Sequence, residues 1–312
     1  MKNIYTGSDF HITITVPECR TETPEEWYLV QRGKLLQIKE IVGDDLFILA
    51  GDQIDVGKPL GAQIITNMYA DCLPKNTIFI AGNHELRDFS QQLDVAIAKG
   101  SLGTMIRTKG LTYLTDAEPF EWGDYVIYGF NFGAGKTLEH RDVDKTKKNI
   151  AIGHFLSYAK KVPFYVKGDA SVAEDIVKEF PEFDAIIVGD NHSTFTVNDK
   201  YLSPGSITRR TTKQIKHMPC IHRFDGEKFT PIYLKIKESS ECITTEHTEK
   251  AYADVKRMQE WADNIPTDQE YSGNFKEDTD NYFISNEARE NTQAILDKYI
   301  AICEAEMHNE KG

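Results

Sequence analysis

The sequence lacks any apolar run long enough to cross a bilayer. Its longest, such as Leu46-Phe47-Ile48-Leu49-Ala50, is a fraction of the roughly 20 residues a spanning helix needs. No CxxC pair is present. The five cysteines (Cys19, Cys72, Cys220, Cys242 and Cys303) are odd in number and scattered. That excludes a disulfide framework or zinc ribbon and fits reduced thiols in a cytoplasm. No apolar stretch precedes Ser8-Asp9 that could serve as a signal peptide, so the expected location is cytoplasmic, with no membrane partner. Fixed-period repeats and low-complexity tracts are absent, which excludes solenoids and fibrous chains. What remains is ordinary globular usage: 312 residues, 40% hydrophobic and 27% charged, enough for one large domain or one domain with an appendage.

Charge divides the chain unevenly. The overall net charge is -13, but residues 238–312 carry 18 acidic and 7 basic side chains, a net of -11. Residues 1–237 are close to neutral. The acidity that would argue against nucleic acid therefore belongs to the last quarter alone.

Short apolar strands alternate with polar or helical stretches up to about residue 190. Strands are expected at 3–6, 45–50, 77–81, 125–130, 149–152 and 184–188, and helices at 24–41, 60–72 and 173–180. After residue 192 two hairpins are expected. One joins 194–197 to 200–202 through Asn198-Asp199, and the other joins 221–224 to 229–236 through Asp225-Gly226. The class is α/β, and a mixed two-sheet sandwich flanked by helices accommodates both halves. Beyond it, Ala251, Val255, Met258 and Ala262 share one helical face, and Ala288, Ile295, Tyr299 and Ile302 another, with a polar linker between.

Five motifs fall where strands end: Asp9-Phe10-His11, Gly51-Asp52-Gln53-Ile54-Asp55, Gly82-Asn83-His84-Glu85, Gly153-His154 and Gly189-Asp190-Asn191-His192. Taken singly, each has a bland reading: a strand-end turn, an acidic loop or N-cap, a solvated imidazole. Together they place carboxylate, amide and imidazole groups at the carboxyl ends of strands, which converge on one crevice in an open α/β sheet. Hard divalent ions accept this donor mixture. Two such ions can clamp the attacking and leaving oxygens of a phosphoryl displacement.

In this order the five motifs resemble the calcineurin-like metallophosphoesterases over about residues 1–236. The resemblance implies a four-layer α/β/β/α sandwich and a binuclear centre of two divalent metal ions, Mn²⁺ first, with Mg²⁺, Fe or Zn²⁺ as alternatives. By that resemblance Asp9, His11, Asp52 and His192 hold one metal, Asp52 bridges, and Asn83 and His154 hold the second. The last motif normally reads G-H-x-H, and Asp190 stands where its first histidine does, a carboxylate that favours hard ions. His84 matches a residue that faces the scissile phosphate and assists the leaving oxygen, with Asp55 as its supporting carboxylate.

A narrower resemblance lies in Tyr201-Leu202-Ser203-Pro204-Gly205-Ser206-Ile207-Thr208-Arg209, which is similar to a segment of SbcD-type nucleases of bacterial and phage recombination and repair. It implies a DNA exo- or endonuclease subunit. Residues 200–224 carry six basic side chains and no acidic one, and Arg209, Arg210 and Lys213 are the expected phosphate contacts. Two alternatives stand: a phosphatase or phosphodiesterase for a small or protein-bound phosphoester, and a non-catalytic binding protein on the same fold. Residues 237–312 form a mostly helical appendage, read either as a cap on the sandwich or as a docking element for an ATPase partner subunit. A homodimer is left open.

Overall fold

The strands read as unbroken apolar runs because helices cover both outer faces of a sheet pair. Five consecutive buried residues, Leu46–Ala50, make up one strand. The computed structural model describes residues 3–55, 68–69, 71–108, 110–132, 138–164, 166 and 169–246. The chain divides into two compact units, Met1–Glu249 and Lys250–Gly312, and the second lies outside the described residues.

The elements follow in the order β1 (Ile4–Gly7), α1 (Pro24–Val42), β2 (Leu46–Ala50), β3 (Asn76–Ile80), α2 (Asn83–Leu86), α3 (Leu93–Lys99) and α4 (Ser101–Arg107). Next come β4 (Leu111–Tyr113), β5 (Phe120–Trp122), β6 (Tyr125–Phe130), β7 (Lys148–His154), β8 (Ser157–Tyr158), β9 (Ser171–Val172), α5 (Ala173–Glu179) and β10 (Ala185–Gly189). The series closes with β11 (Phe195–Val197), β12 (Tyr201–Ser203), β13 (Cys220–Phe224), β14 (Phe229–Tyr233) and α6 (Ser239–Cys242).

One six-stranded sheet runs β14-β13-β1-β2-β3-β4 and the other β11-β12-β10-β7-β6-β5. Strands β1 to β4 are parallel, as are β6, β7, β10 and β12. Both hairpins are antiparallel, as their turn residues require.

Period-2 alternation sorts each strand between two cores. In β2, Leu46, Ile48 and Ala50 join a cluster with Ile150, Ile152, Ala185 and Ile187 of the other sheet. Phe47 and Leu49 face the other way and pack with Leu35, Ile38 and Val42 of α1. On the far side Ala151, Ile186 and Val188 meet Ala173 and Ile176 of α5. Three buried layers between four structural ones make the α/β/β/α sandwich. Each fully buried isoleucine in the central layer contributes roughly 1.5–3 kcal/mol by transfer from water.

Helix α1 begins where Thr23 accepts from the Glu26 N–H and Glu26 accepts in return from the Thr23 N–H, ahead of Pro24 in the first turn. The expected strands and the helices at 24–41 and 173–180 occur within a few residues of their expected limits. Strand β7 runs two residues past its expected end, so His154 is its last residue. The helix expected at 60–72 falls largely outside the described residues, as do both tail helices and the cap and docking roles attached to them. Residues 83–107 hold three short helices that apolar periodicity did not reveal, because none exceeds seven residues. Cys19, Cys72, Cys220 and Cys242 are buried and not disulfide-bonded. Among the described residues no helix is long and apolar enough to cross a membrane.

Replacing Ile187 by Ala in the central layer should cost about 2–5 kcal/mol in urea unfolding, since the two sheets cannot collapse around the void. Leu36→Ala on the outer face of α1 should change it by about 0.5 kcal/mol or less.

Candidate metal centre

Every polar motif lies at the carboxyl end of a parallel strand. Asp9 and His11 follow β1, Asp52 follows β2, and Asn83 and His84 open α2 after β3. His154 ends β7, and Asp190 and His192 follow β10. Four of these residues turn the chain through positive φ: Asp9 (54°), His11 (45°), Asp52 (53°) and Asp190 (90°). Asp and His tolerate that region better than most side chains, and the sharp turn aims each one back over the strand ends.

The two sheets come close here. A Cβ on Gly189 would lie 2.1 Å from the Ala50 carbonyl oxygen, and one on Gly51, itself at φ 87°, would lie 2.2 Å from Nδ1 of His154. Only glycine fits either position. Across that seam His154 Nδ1–H donates to the Ala50 carbonyl at 2.7 Å. This fixes the tautomer, so Nε2 points inward, 3.3 Å from Asp52 Oδ1.

Around it the side chains crowd. His11 Nε2 lies 3.0 Å from His192 Nε2, 3.5 Å from Asp52 Oδ2 and 3.8 Å from Asp9 Oδ1. The Asn83 amide sits 3.0–3.1 Å from both Asp52 oxygens and 3.1 Å from His154 Nε2. Asp190 Oδ1 is 4.0 Å from His154 Nε2, and its N–H donates to Asp9 at 3.1 Å. Three overlapping triads each bring their ligand atoms within 4.8 Å: Asp9, His11 and His192; His11, Asp52 and His84; Asp9, Asp52 and His154. Two imidazole nitrogens facing each other beside buried carboxylates form a donor set suited to a cation.

The electrostatics agree. Burial pushes the Asp9 carboxyl up to about 7; His154 pulls it down and the neighbouring Asp52 charge pushes it further up. Burial disfavours a charged His154, yet the Asp52 carboxylate, then Asp9 and Asp190, raise it to about 10. Asp52 is held well below the usual carboxylate range, since His154 and His11 outweigh its burial. Burial lowers His192 to about 4 against the pull of Asp52. The cluster concentrates negative charge that only nearby cations can offset.

Glu85 organises this loop, a task the motif reading left unassigned. It is fully buried; Oε2 accepts from the N–H groups of Asp52 (3.0 Å) and Gly82 (2.7 Å), and Oε1 from Ile54 (3.0 Å). Its place as the third residue of a helix start, two after Asn83, was the available signal. Burial, then the Asp52 charge, raise its carboxyl to about 7.

The basic residues divide. Arg210 lies beside the centre: Nη2 pairs with Asp55 at 2.9 Å and Nη1 donates to the His11 carbonyl at 3.0 Å. Arg209 is buried and donates to the carbonyls of His217 and Lys237. Lys213 lines a groove beside His192. Asp55 also flanks His84, whose Nδ1 is 3.4 Å from its carboxylate and 2.7 Å from its carbonyl oxygen. Burial works against charge on His84, but the Asp55 hydrogen bond and the Asp52 carboxylate hold its pKa above the ordinary histidine value.

A family model described as calcineurin-like phosphoesterase matches residues 7–194. No curated protein matches the chain. Among solved structures, the chain is similar to the TT1561 protein of Thermus thermophilus, with a TM-score of 0.42 and 9% identity over 75% of this chain and 99% of that one. It is also similar to a conserved uncharacterized protein of Streptococcus pneumoniae, described as a predicted phosphoesterase. There the TM-score is 0.30 and the identity 13%, over 75% of this chain and 89% of that one.

Glu85→Gln keeps shape but turns an amide N–H toward backbone N–H groups that need an acceptor. It should cost about 1–3 kcal/mol in chemical denaturation and weaken Mn²⁺ binding in calorimetry. An unchanged variant in both assays would show that the three backbone contacts do not set the loop.

Proposed function

The chain belongs to the calcineurin-like phosphoesterase family and is a metal-dependent phosphoesterase, and from that premise we propose that it is a DNA phosphodiesterase of the SbcD-like kind. One observation carries the choice of DNA. The groove that opens at His192, with a volume of about 570 Å³, is lined by Lys213 and Lys216 and by Phe195, Met218 and Tyr233, with no carboxylate in its wall. Met218 is 50% exposed and Tyr233 60%. Ammonium groups beside exposed flat or polarisable side chains suit a phosphate backbone with stacked bases.

In this reading Asp9, His11, Asp52 and His192 hold one divalent cation, and Asp52, Asn83, His154 and Asp190 a second. Bound there, the ions neutralise charge on the phosphoryl group and lower the pKa of water enough to supply a nucleophile near neutral pH. The chain's own groups do the rest. His84 Nδ1–H is committed to the Asp55 carbonyl, which leaves Nε2 as the atom presented to the substrate. With its pKa raised, that Nε2 carries a proton to the departing oxygen. Arg210 offsets the Asp55 charge and fixes its position beside both imidazoles. Mn²⁺ is the first choice for the carboxylate-rich set, with Mg²⁺, Fe and Zn²⁺ as the other candidates.

The test uses the purified chain with Mn²⁺ on labelled single- and double-stranded DNA beside a chromogenic diester. Chelation should abolish hydrolysis of all three, and Asp52→Asn should lose at least one metal by elemental analysis together with nearly all turnover. His84→Ala should retain both metals while kcat falls by about 10²-fold or more; loss of metal instead would make His84 a ligand. Lys213→Ala with Lys216→Ala should raise KM on DNA and flatten its salt dependence by about 0.9 in log–log slope per lost contact. Brisk turnover of the chromogenic diester with no cleavage of either DNA would move the assignment to a small or protein-bound phosphoester.

A further inference from the structure

Lysine is among the residues least often buried without a partner. Lys34 of α1 is only 6% exposed, and among the described residues its ammonium has neither a carboxylate nor a hydrogen-bond acceptor. It opens into a cavity of about 320 Å³ that none of the proposed metal ligands lines. The floor is one face of α1, where Val30, Gly33, Lys34 and Gln37 follow helical spacing. A Cβ built on Gly33 meets nothing within 4 Å, so the helix leaves this face open.

The walls are cationic. Arg209 brings a guanidinium whose hydrogen bonds end on the carbonyls of His217 and Lys237 and on the Met218 sulfur, leaving its charge without a carboxylate partner. Arg20 is the exception. Glu22 neutralises it through contacts of 3.0 and 2.5 Å, and its guanidinium stacks on Trp27. Lys235 and Lys237 stand exposed at the rim. The strap that carries them is pinned over α1 by Gln37, which accepts from the Lys235 N–H at 2.7 Å and donates to its carbonyl. The cavity thus gathers four cations with no direct carboxylate partner among the described residues, one of them deep; Glu22, committed to Arg20, acts on Lys34 only from a distance.

We propose that this cavity is a binding site for a phosphate-bearing small molecule, with the anion seated between Lys34 and Arg209 and the rim lysines closing over it. Desolvation is what an isolated buried ammonium cannot recover. Here burial, with Arg20 and Arg209 nearby, lowers Lys34 to about 7. A dianion supplies both the missing acceptor and the missing charge. The apolar part of the wall, Leu29, Val30, Pro219 and Ile236, has room for the organic portion of an ester. The site is separate from the DNA assignment and stands or falls without it.

The test is made on the full-length chain with metals removed by chelation, so that the centre's carboxylates repel the probe. Inorganic phosphate and adenosine monophosphate are titrated by calorimetry. Binding is expected for at least one, and Lys34→Met, which retains length while removing the charge, should weaken it by about tenfold or more, the scale of one charge-assisted hydrogen bond. Equal affinity for the two probes identifies a site for the phosphate group alone; tighter adenosine monophosphate identifies an organic ester. A second readout needs no variant: in the wild-type chain, acetylation of Lys34 by acetic anhydride, followed by mass spectrometry, should slow when the bound probe is present. Absence of binding at millimolar probe, an unchanged affinity in Lys34→Met, or acetylation of Lys34 indifferent to the probe would overturn the proposal.

Discussion

The hydrogen bond from His154 to the Ala50 carbonyl joins the carboxyl ends of two sheets, and the centre exists because that seam is narrow. One sheet supplies Asp9, His11, Asp52, Asn83 and His84, and the other supplies His154, Asp190 and His192. A separation larger by one methyl group would leave two half-sites. Gly51 and Gly189 hold the seam closed, since a side chain at either would strike His154 or Ala50. The bond also assigns the ring. With Nδ1–H donated, Nε2 faces Asp52 and Asn83, and sheet geometry becomes ligand chemistry.

The seam must then hold charge that it does not itself favour. Asp9 and Asp52 are buried beside each other, and positive φ at Asp9, His11, Asp52 and Asp190 adds backbone strain on the order of 1–3 kcal/mol at such sites. The central isoleucine layer and the helices on both outer faces supply the stability that tolerates this. Glu85 is the local anchor. By accepting three backbone N–H groups it fixes the Gly51–Ile54 turn from behind, so the turn cannot relax into a less strained form without abandoning those bonds. Arg210 does the corresponding work in front, linking Asp55 to the loop after β1.

These two supports mark the boundary of what the sequence makes readable. Strands buried on both faces print themselves as unbroken apolar runs, so β2, β6 and β10 could be placed almost to the residue. Ligand types directly after such runs could be grouped because strand ends converge. Arg210 meets Asp55 and His11 from over 150 residues away, and nothing in its neighbours announces that pairing. Lys34 was equally hidden. In α1 it reads as one more polar residue of an amphipathic helix, and only the strap at 235–237 turns its surroundings into a cavity. The helices of residues 83–107 escaped because each is too short for a period to show.

Counting charges gave the weakest guidance, and the reason is geometric. Residues 200–224 hold six basic side chains and no acidic one, which in sequence resembles a single phosphate-binding stretch. In the fold they serve several ends. Lys200 donates to the carbonyls of Phe180 and Pro181, Arg210 holds Asp55, and Arg209 turns inward to the cavity beside Lys34. Lys213 and Lys216 reach the groove at His192, and Arg223 lies exposed on β13. A polyanion approaching the centre therefore meets two groove lysines, not a continuous basic face. Under the proposed DNA reading, binding there would lean on contacts that do not screen with salt, the flat and polarisable surfaces of Phe195, Met218 and Tyr233. Surfaces of that kind stack on unpaired bases, so the proposed DNA reading carries with it an expectation of a strand whose bases are free to splay, over a closed duplex.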